Sequence, residues 1–139
     1  MSVTTANPTS PFVATLVNLA APLGRLLLAG LFIQAGWGKI AGYAGTAAYM
    51  ASAGLPSYLL PLVILTELGG GILLVLGWQT RIVAFLIAGF TVLTSLIFHA
   101  NVSDQMQMLM FMKNMSITGG LLMIVAHGAG AFSLDARRG

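Results

Sequence analysis

Four apolar stretches dominate this chain. Each is long enough to cross about 30 Å of hydrocarbon, which takes about 20 helical residues. They run from Leu16 to Trp37, Tyr58 to Trp78, Arg81 to Ala100 and Met108 to His127. Backbone groups in lipid have to hydrogen-bond within their own segment, so all four are predicted as helices. Trp37, Tyr58 and Trp78 stand at the ends of these runs, where amphipathic rings settle among headgroups. Only 6% of the 139 residues are charged, against about 25% in a soluble domain, so this surface belongs in a bilayer. The fold expected is all-α: a single four-helix transmembrane bundle over residues 15–139, behind a polar tail over residues 1–14.

Several function classes drop out at once. The chain has no cysteine, which removes disulfides, thiolate metal sites and thiol–disulfide exchange. A net charge of +3 rests on six basic and three acidic residues; in a membrane protein it reports topology, and no nucleic-acid partner is expected. "MSVTTANPTSPF" lacks the Lys and Arg of a signal-peptide n-region, and the run after it contains Arg25, so it is read as a retained helix. "TELGGG" lies inside a span and has no following GK[ST], so it is not a phosphate loop. Its glycines suit close helix packing.

The metal question turns on two features. His99 and His127 sit at opposite ends of their spans and cannot share one haem. Met106, Met108, Met110, Met112 and Met115 crowd one end of the fourth span; thioethers suit Cu(I), but methionine is also a flexible apolar filler. Only 108, 112 and 115 share a helix face, so no metal ligand is assigned.

The connections are short, except for the one between spans one and two. There Ala44 to Ala53 is predicted as a short interfacial helix, stopped by Gly54 and Pro56. Arg81, Arg137 and Arg138 fall on one side of the membrane and Lys39, offset by Asp104, on the other; the positive-inside rule then places both termini in the cytoplasm.

Charges inside the spans are the candidate functional residues, since intramembrane ionisable groups are expensive and functional by default. Counted at 1.5 Å per residue, Arg25 lies about 13 Å and Glu67 about 16 Å from the inner ends of spans one and two. Those depths match, so Arg25 is expected to contact Glu67, with Lys113 as the competing partner; Arg25 snorkelling to the cytoplasm is the other reading. Polar and small residues form one stripe per helix: Arg25, Phe32, Gly36 and Lys39; Glu67, Gly71, Leu74 and Trp78; Ala84, Ala88, Thr91, Ser95 and His99; Lys113 and Gly120, with Asn114 beside them. Turned inward, these stripes give an outward-opening pocket. Its candidate ligand-binding residues are Arg25, Lys39, Glu67, His99, Lys113 and Asn114; none is assigned a catalytic role.

The pieces "GRLLLAGLFIQAGWGKI", "ASAGLP", "TELGGGILLVLGWQTRIVAFLIAGF", His99 and "FMKNMSITGGLLMIVAHGAGAFSLDAR" together resemble the DoxX family of small four-helix membrane proteins, over nearly all of Gly24 to Arg137. The resemblance implies a bacterial cytoplasmic-membrane location and a role as membrane subunit of an oxidoreductase, in terminal quinol oxidation or thiosulfate:quinone oxidoreduction. It carries over no catalytic residues.

Two readings result. In the first, quinone binds the pocket with His99, Lys113 and Asn114 as donors and Glu67 exchanging a proton, while a redox partner protein supplies electrons. In the second, the chain is a non-redox scaffold, small-molecule binder or permease. Both embed it in the lipid bilayer and leave room for a homo-oligomer.

Overall fold

The computed structural model describes residues 10–138. Among them all regular structure is helical, and four helices are long and apolar enough to span a membrane.

α1, Pro11–Ala41, starts where the Ser10 hydroxyl accepts from the Val13 amide and Pro11 occupies the first turn, a position that needs no N–H. Of the expected polar tail, residues 1–9 lie outside the described residues, and Pro11–Ala14 already belong to this helix. α1 runs on through Pro22 and ends at Gly42. α2, Tyr43–Ser52, is the expected short helix; Gly54 at φ +80° and Pro56 follow it.

α3, Ser57–Leu76, is not uniform. A 3-10 turn at Ser57–Leu59 leads into α-helix at Leu60–Ile64; a π-helical turn follows at Leu65–Gly69, then α-helix again at Gly70–Leu76. α3 closes at Gly77, whose φ of +67° lets the Trp78 amide donate to Leu73 O at 3.1 Å and the Gly77 amide to Leu74 O at 3.2 Å.

α4, Thr80–Phe98, has no capping side chain of its own. Its free amides are met from far along the chain: Asp135 accepts from Gln79 N at 2.8 Å and Thr80 N at 2.9 Å. α5, Gln105–His127, is capped locally by Asp104, which accepts from Met106 N and Gln107 N. A last turn, α6, Leu134–Arg137, is capped by Ser133.

α1 packs along the length of α3, and α4 along α5. The α1–α3 seam is tight. A Cβ on Gly36 would stand 2.9 Å from the Leu68 amide nitrogen, and one on Gly71 would stand 3.2 Å from Ala29 O. Small residues permit this approach, the usual basis of helix association in membranes. Ala29, Phe32, Leu74, Ile87, Ala88 and Leu121 fill the bundle centre, while large apolar side chains all round the outside meet lipid.

Candidate functional site

Glu67 sits in the π-helical turn of α3, buried, with its side chain 8% exposed. Such turns insert one residue into the helical repeat and shift the faces around them, and they recur at functional positions. Opposite stands Lys39, near the end of α1. Helical side chains lean toward their helix's N-terminus, so Lys39 leans down into the bundle. Its Nζ lies 2.9 Å from Glu67 Oε2 and donates to Oε1 at 3.1 Å. No other donor reaches the carboxylate among the described residues.

The pair stands in a cavity of about 470 Å³, within the range of small-molecule sites. Phe32, Leu62, Phe90, Leu93, Ile97 and Phe98 make most of its wall apolar. His99, Lys113 and Asn114 line it too, so five of the six candidate residues come together. Their states differ. His99 is half-buried at the end of α4. Lys113 is exposed at the cavity's edge and within ion-pair distance of no acid among the described residues. Asn114 donates to Ser95 Oγ at 2.9 Å, which ties α5 to α4. The methionines of α5 do not line the cavity, and Met106, Met108 and Met112 are exposed.

Arg25 is elsewhere, and the expected Arg25–Glu67 contact is not made. The Glu67 partner is Lys39, not Arg25 or Lys113. The depth count measured each span from its apolar boundary, but α1 begins at Pro11, five residues before the expected Leu16, and runs past the end of α3. Arg25 is thereby level with the last turn of α3, about 12 Å along that helix from Glu67. There Nη1 donates to Leu74 O at 2.7 Å and Val75 O at 3.0 Å, and Nη2 donates to Phe132 O. A cation on the free carbonyls at a helix C-terminus is favourable in charge as well as in hydrogen bonding.

The same end is closed by the C-terminal segment. The Asp135 amide donates to Gly77 O at 2.9 Å, its carboxylate caps α4, and the Arg138 guanidinium lies over the Trp78 ring at 5.5 Å. Burial pushes the Asp135 carboxyl up, but hydrogen bonds from Thr80 and Gln79 and the charge of Arg138 outweigh it and hold it below the usual carboxylate range. This end is a clasp that fixes the α3–α4 hairpin; the cavity lies toward the other.

The arrangement is thus a small all-helical membrane bundle with one ion pair at the foot of an apolar cavity. The DoxX family model matches residues 20–100, more than half of the chain. The chain belongs to the DoxX family. This DoxX protein is 49% identical over 120 residues to the inner membrane protein YqjF of Escherichia coli (strain K12), covering 86% of this chain and 92% of the relative. It is 38% identical over 122 residues to the inner membrane protein YphA of the same strain, covering 83% and 87%. No solved structure matches it. With its four spans and these relatives, it is an integral inner-membrane protein.

Two features of the DoxX site escape sequence reasoning. The π-helical turn has no residue signature beyond glycines that also serve packing. Tyr49 of α2 stacks on Phe98 of α4, with ring centroids 5.2 Å apart, and makes α2 part of the cavity. An aromatic in an Ala-rich interfacial helix is the available hint.

Proposed function

We propose that this DoxX protein binds a quinone-type lipophilic ligand in the cavity, as the membrane subunit of an oxidoreductase system, with both termini cytoplasmic and the cavity toward the outside. The observation that carries the reading is the Lys39–Glu67 pair standing in a cavity whose walls are mostly apolar. An aromatic dicarbonyl ring needs apolar walls and a donor at each carbonyl. Phe32, Phe90 and Phe98 supply the first; Lys39 and His99 are suited to the second. Among the described residues Glu67 accepts from Lys39 alone, so its remaining lone pairs are available to take a proton at the cavity floor. The chain carries no cysteine, and electrons in this reading come from a redox partner protein.

One observation favours the second reading, a non-redox binder. The chain has three acidic residues: Glu67 pairs with Lys39, Asp104 caps α5 and Asp135 caps α4. None is left for Lys113, which suits an amphiphile with an anionic head.

Titration of purified, monodisperse protein with decyl-benzoquinone and with a fatty acid separates the two. The quinone reading expects Glu67→Gln to weaken quinone binding by about tenfold or more, equivalent to 1.4 kcal/mol. Wild-type protein that binds the fatty acid through Lys113 and no quinone would overturn it.

A further inference from the structure

The cavity has a roof and a side, and they differ in construction. The roof is α2 and the segment after it. Met50 is buried, Tyr49 stacks on Phe98, and Leu55 and Leu59 continue the cover. These residues cover part of that end of the cavity.

The side lies between α3 and α4. These helices pack together chiefly below the π-helical turn, where a Cβ on Gly70 would stand 2.8 Å from Ile87 Cδ1. The outer half of α3, Ser57–Ile64, makes at most slight backbone contact with α4. Leu62 and Leu93, 59% and 57% exposed to the surroundings of the bundle, also line the cavity, so they form the rim of a gap. Thr66 and Thr94 stand along it, and each hydroxyl donates to its own helix, to Leu62 O and Thr91 O respectively. Their protons are thereby spent, which suits a wall facing hydrocarbon. The seam between α1 and α5 is different: Lys113 stands on its edge, and lower down Leu28 lies 3.4 Å from where a Cβ of Gly120 would be.

Size points the same way. About 470 Å³ falls in the lower half of the range for drug-sized ligands, so a ring fits but a long hydrocarbon tail does not. Such a tail has to leave through an opening that lipid can fill.

We propose that the cavity is loaded sideways from the bilayer: the gap between the outer half of α3 and α4 admits a tailed ligand from the leaflet on the Lys39 side and holds its tail, while α2 stays closed. The identity of the head group rests on the reading under Proposed function; the gap is a property of the helix pair and is tested without a quinone.

The chain has no cysteine, so one introduced thiol can be labelled in the full protein in phospholipid vesicles. A nitroxide at Thr66→Cys, and separately at Thr94→Cys, is relaxed either by oxygen, which concentrates in hydrocarbon, or by a nickel chelate, which stays in water. Sideways loading expects oxygen to exceed the chelate several-fold at both positions. It also expects Leu93→Trp, at the rim, to weaken decyl-benzoquinone binding several-fold more than it weakens binding of tail-less benzoquinone; equal weakening of both would overturn the proposal. Relaxation chiefly by the chelate would show a water-side opening, and relaxation by neither would show a closed gap; each overturns the proposal. If oxygen wins at both positions but wild-type protein binds neither quinone, the sideways opening stands and the quinone reading falls.

Discussion

Lys39 Nζ and Glu67 Oε2 meet at 2.9 Å across the seam where Gly36 brings α1 against the backbone of α3. The pair is asymmetric: the Lys39 side chain is 27% exposed and that of Glu67 8%. Removing one partner of a buried pair strands a charge at a cost of about 3–5 kcal/mol, whereas replacing both with apolar residues is often neutral. Lys39→Ala should therefore approach that cost. Glu67→Ala should cost less, because a lysine near a helix end can turn its ammonium toward water. The double variant Lys39→Met/Glu67→Met should be close to wild type. Unfolding in detergent, run as a double-mutant cycle, measures the coupling; two single variants as stable as wild type would sink the pair as a structural element.

Arg25 makes a separate prediction. Its guanidinium serves three carbonyls from two segments distant in sequence. Lysine has one ammonium and no planar fork, so Arg25→Lys should keep the charge and lose part of this bridge. A hydrogen bond to a charged group contributes about 1.5–3 kcal/mol, and Arg25→Met should lose at least one such increment. Limited proteolysis is the direct test, because the freed C-terminal segment should be cut faster in Arg25→Met. Unchanged cutting would mean that Asp135 and the Trp78–Arg138 contact hold it unaided.

Most of the fold was legible because the signals involved are long. Four apolar runs, aromatic ends and the Gly54–Pro56 stop mark out the spans and α2 within a few residues. The inward stripes on α1, α3 and α4 match the buried residues Arg25, Phe32, Gly36, Glu67, Gly71, Leu74, Ala84, Ala88, Thr91 and Ser95. Two positions do not fit: Trp78 is exposed, and α5 buries Thr118 and Leu121 rather than Lys113. α5 is apolar nearly all round, so hydrophobic contrast gave little direction. The partner of Glu67 was not legible, since it depends on the register of α1 against α3, and register is fixed by glycine contacts that a depth count does not see.

Gly77 tests that register at the clasp. Its φ of +67° disfavours any side chain, and a Cβ there would stand 2.7 Å from Arg25 Nη1 and 2.5 Å from Ser133 Cβ. Gly77→Ala should destabilise by more than the 1 kcal/mol or so that replacing a strain-free glycine changes. Gly89, with nothing within 4 Å of its added Cβ, is the control, and Gly89→Ala should be neutral or slightly stabilising. Equal melting temperatures for the two variants would argue against the close approach of Arg25 and Ser133 to this turn.

Asp135 predicts a pH dependence with a definite sign. Hydrogen bonds from Thr80 and Gln79 and the charge of Arg138 hold its carboxyl below the ordinary range, against the upward push of burial. A carboxyl depressed in the folded protein contributes stability that is fully present above its unfolded value, about 3.9, and is lost as pH falls through the folded value. Asp135→Asn keeps one acceptor for the amides of Gln79 and Thr80 but loses the charge at the start of α4, where negative charge is favoured. The variant should therefore be less stable than wild type at neutral pH, and the difference should shrink below about pH 4 as the wild-type carboxylate protonates. Every other ionisable group is common to the two proteins, so subtracting the two melting curves isolates Asp135. A difference that stays constant down to the acid limit would mean that the cap acts through shape alone, with no share from its charge.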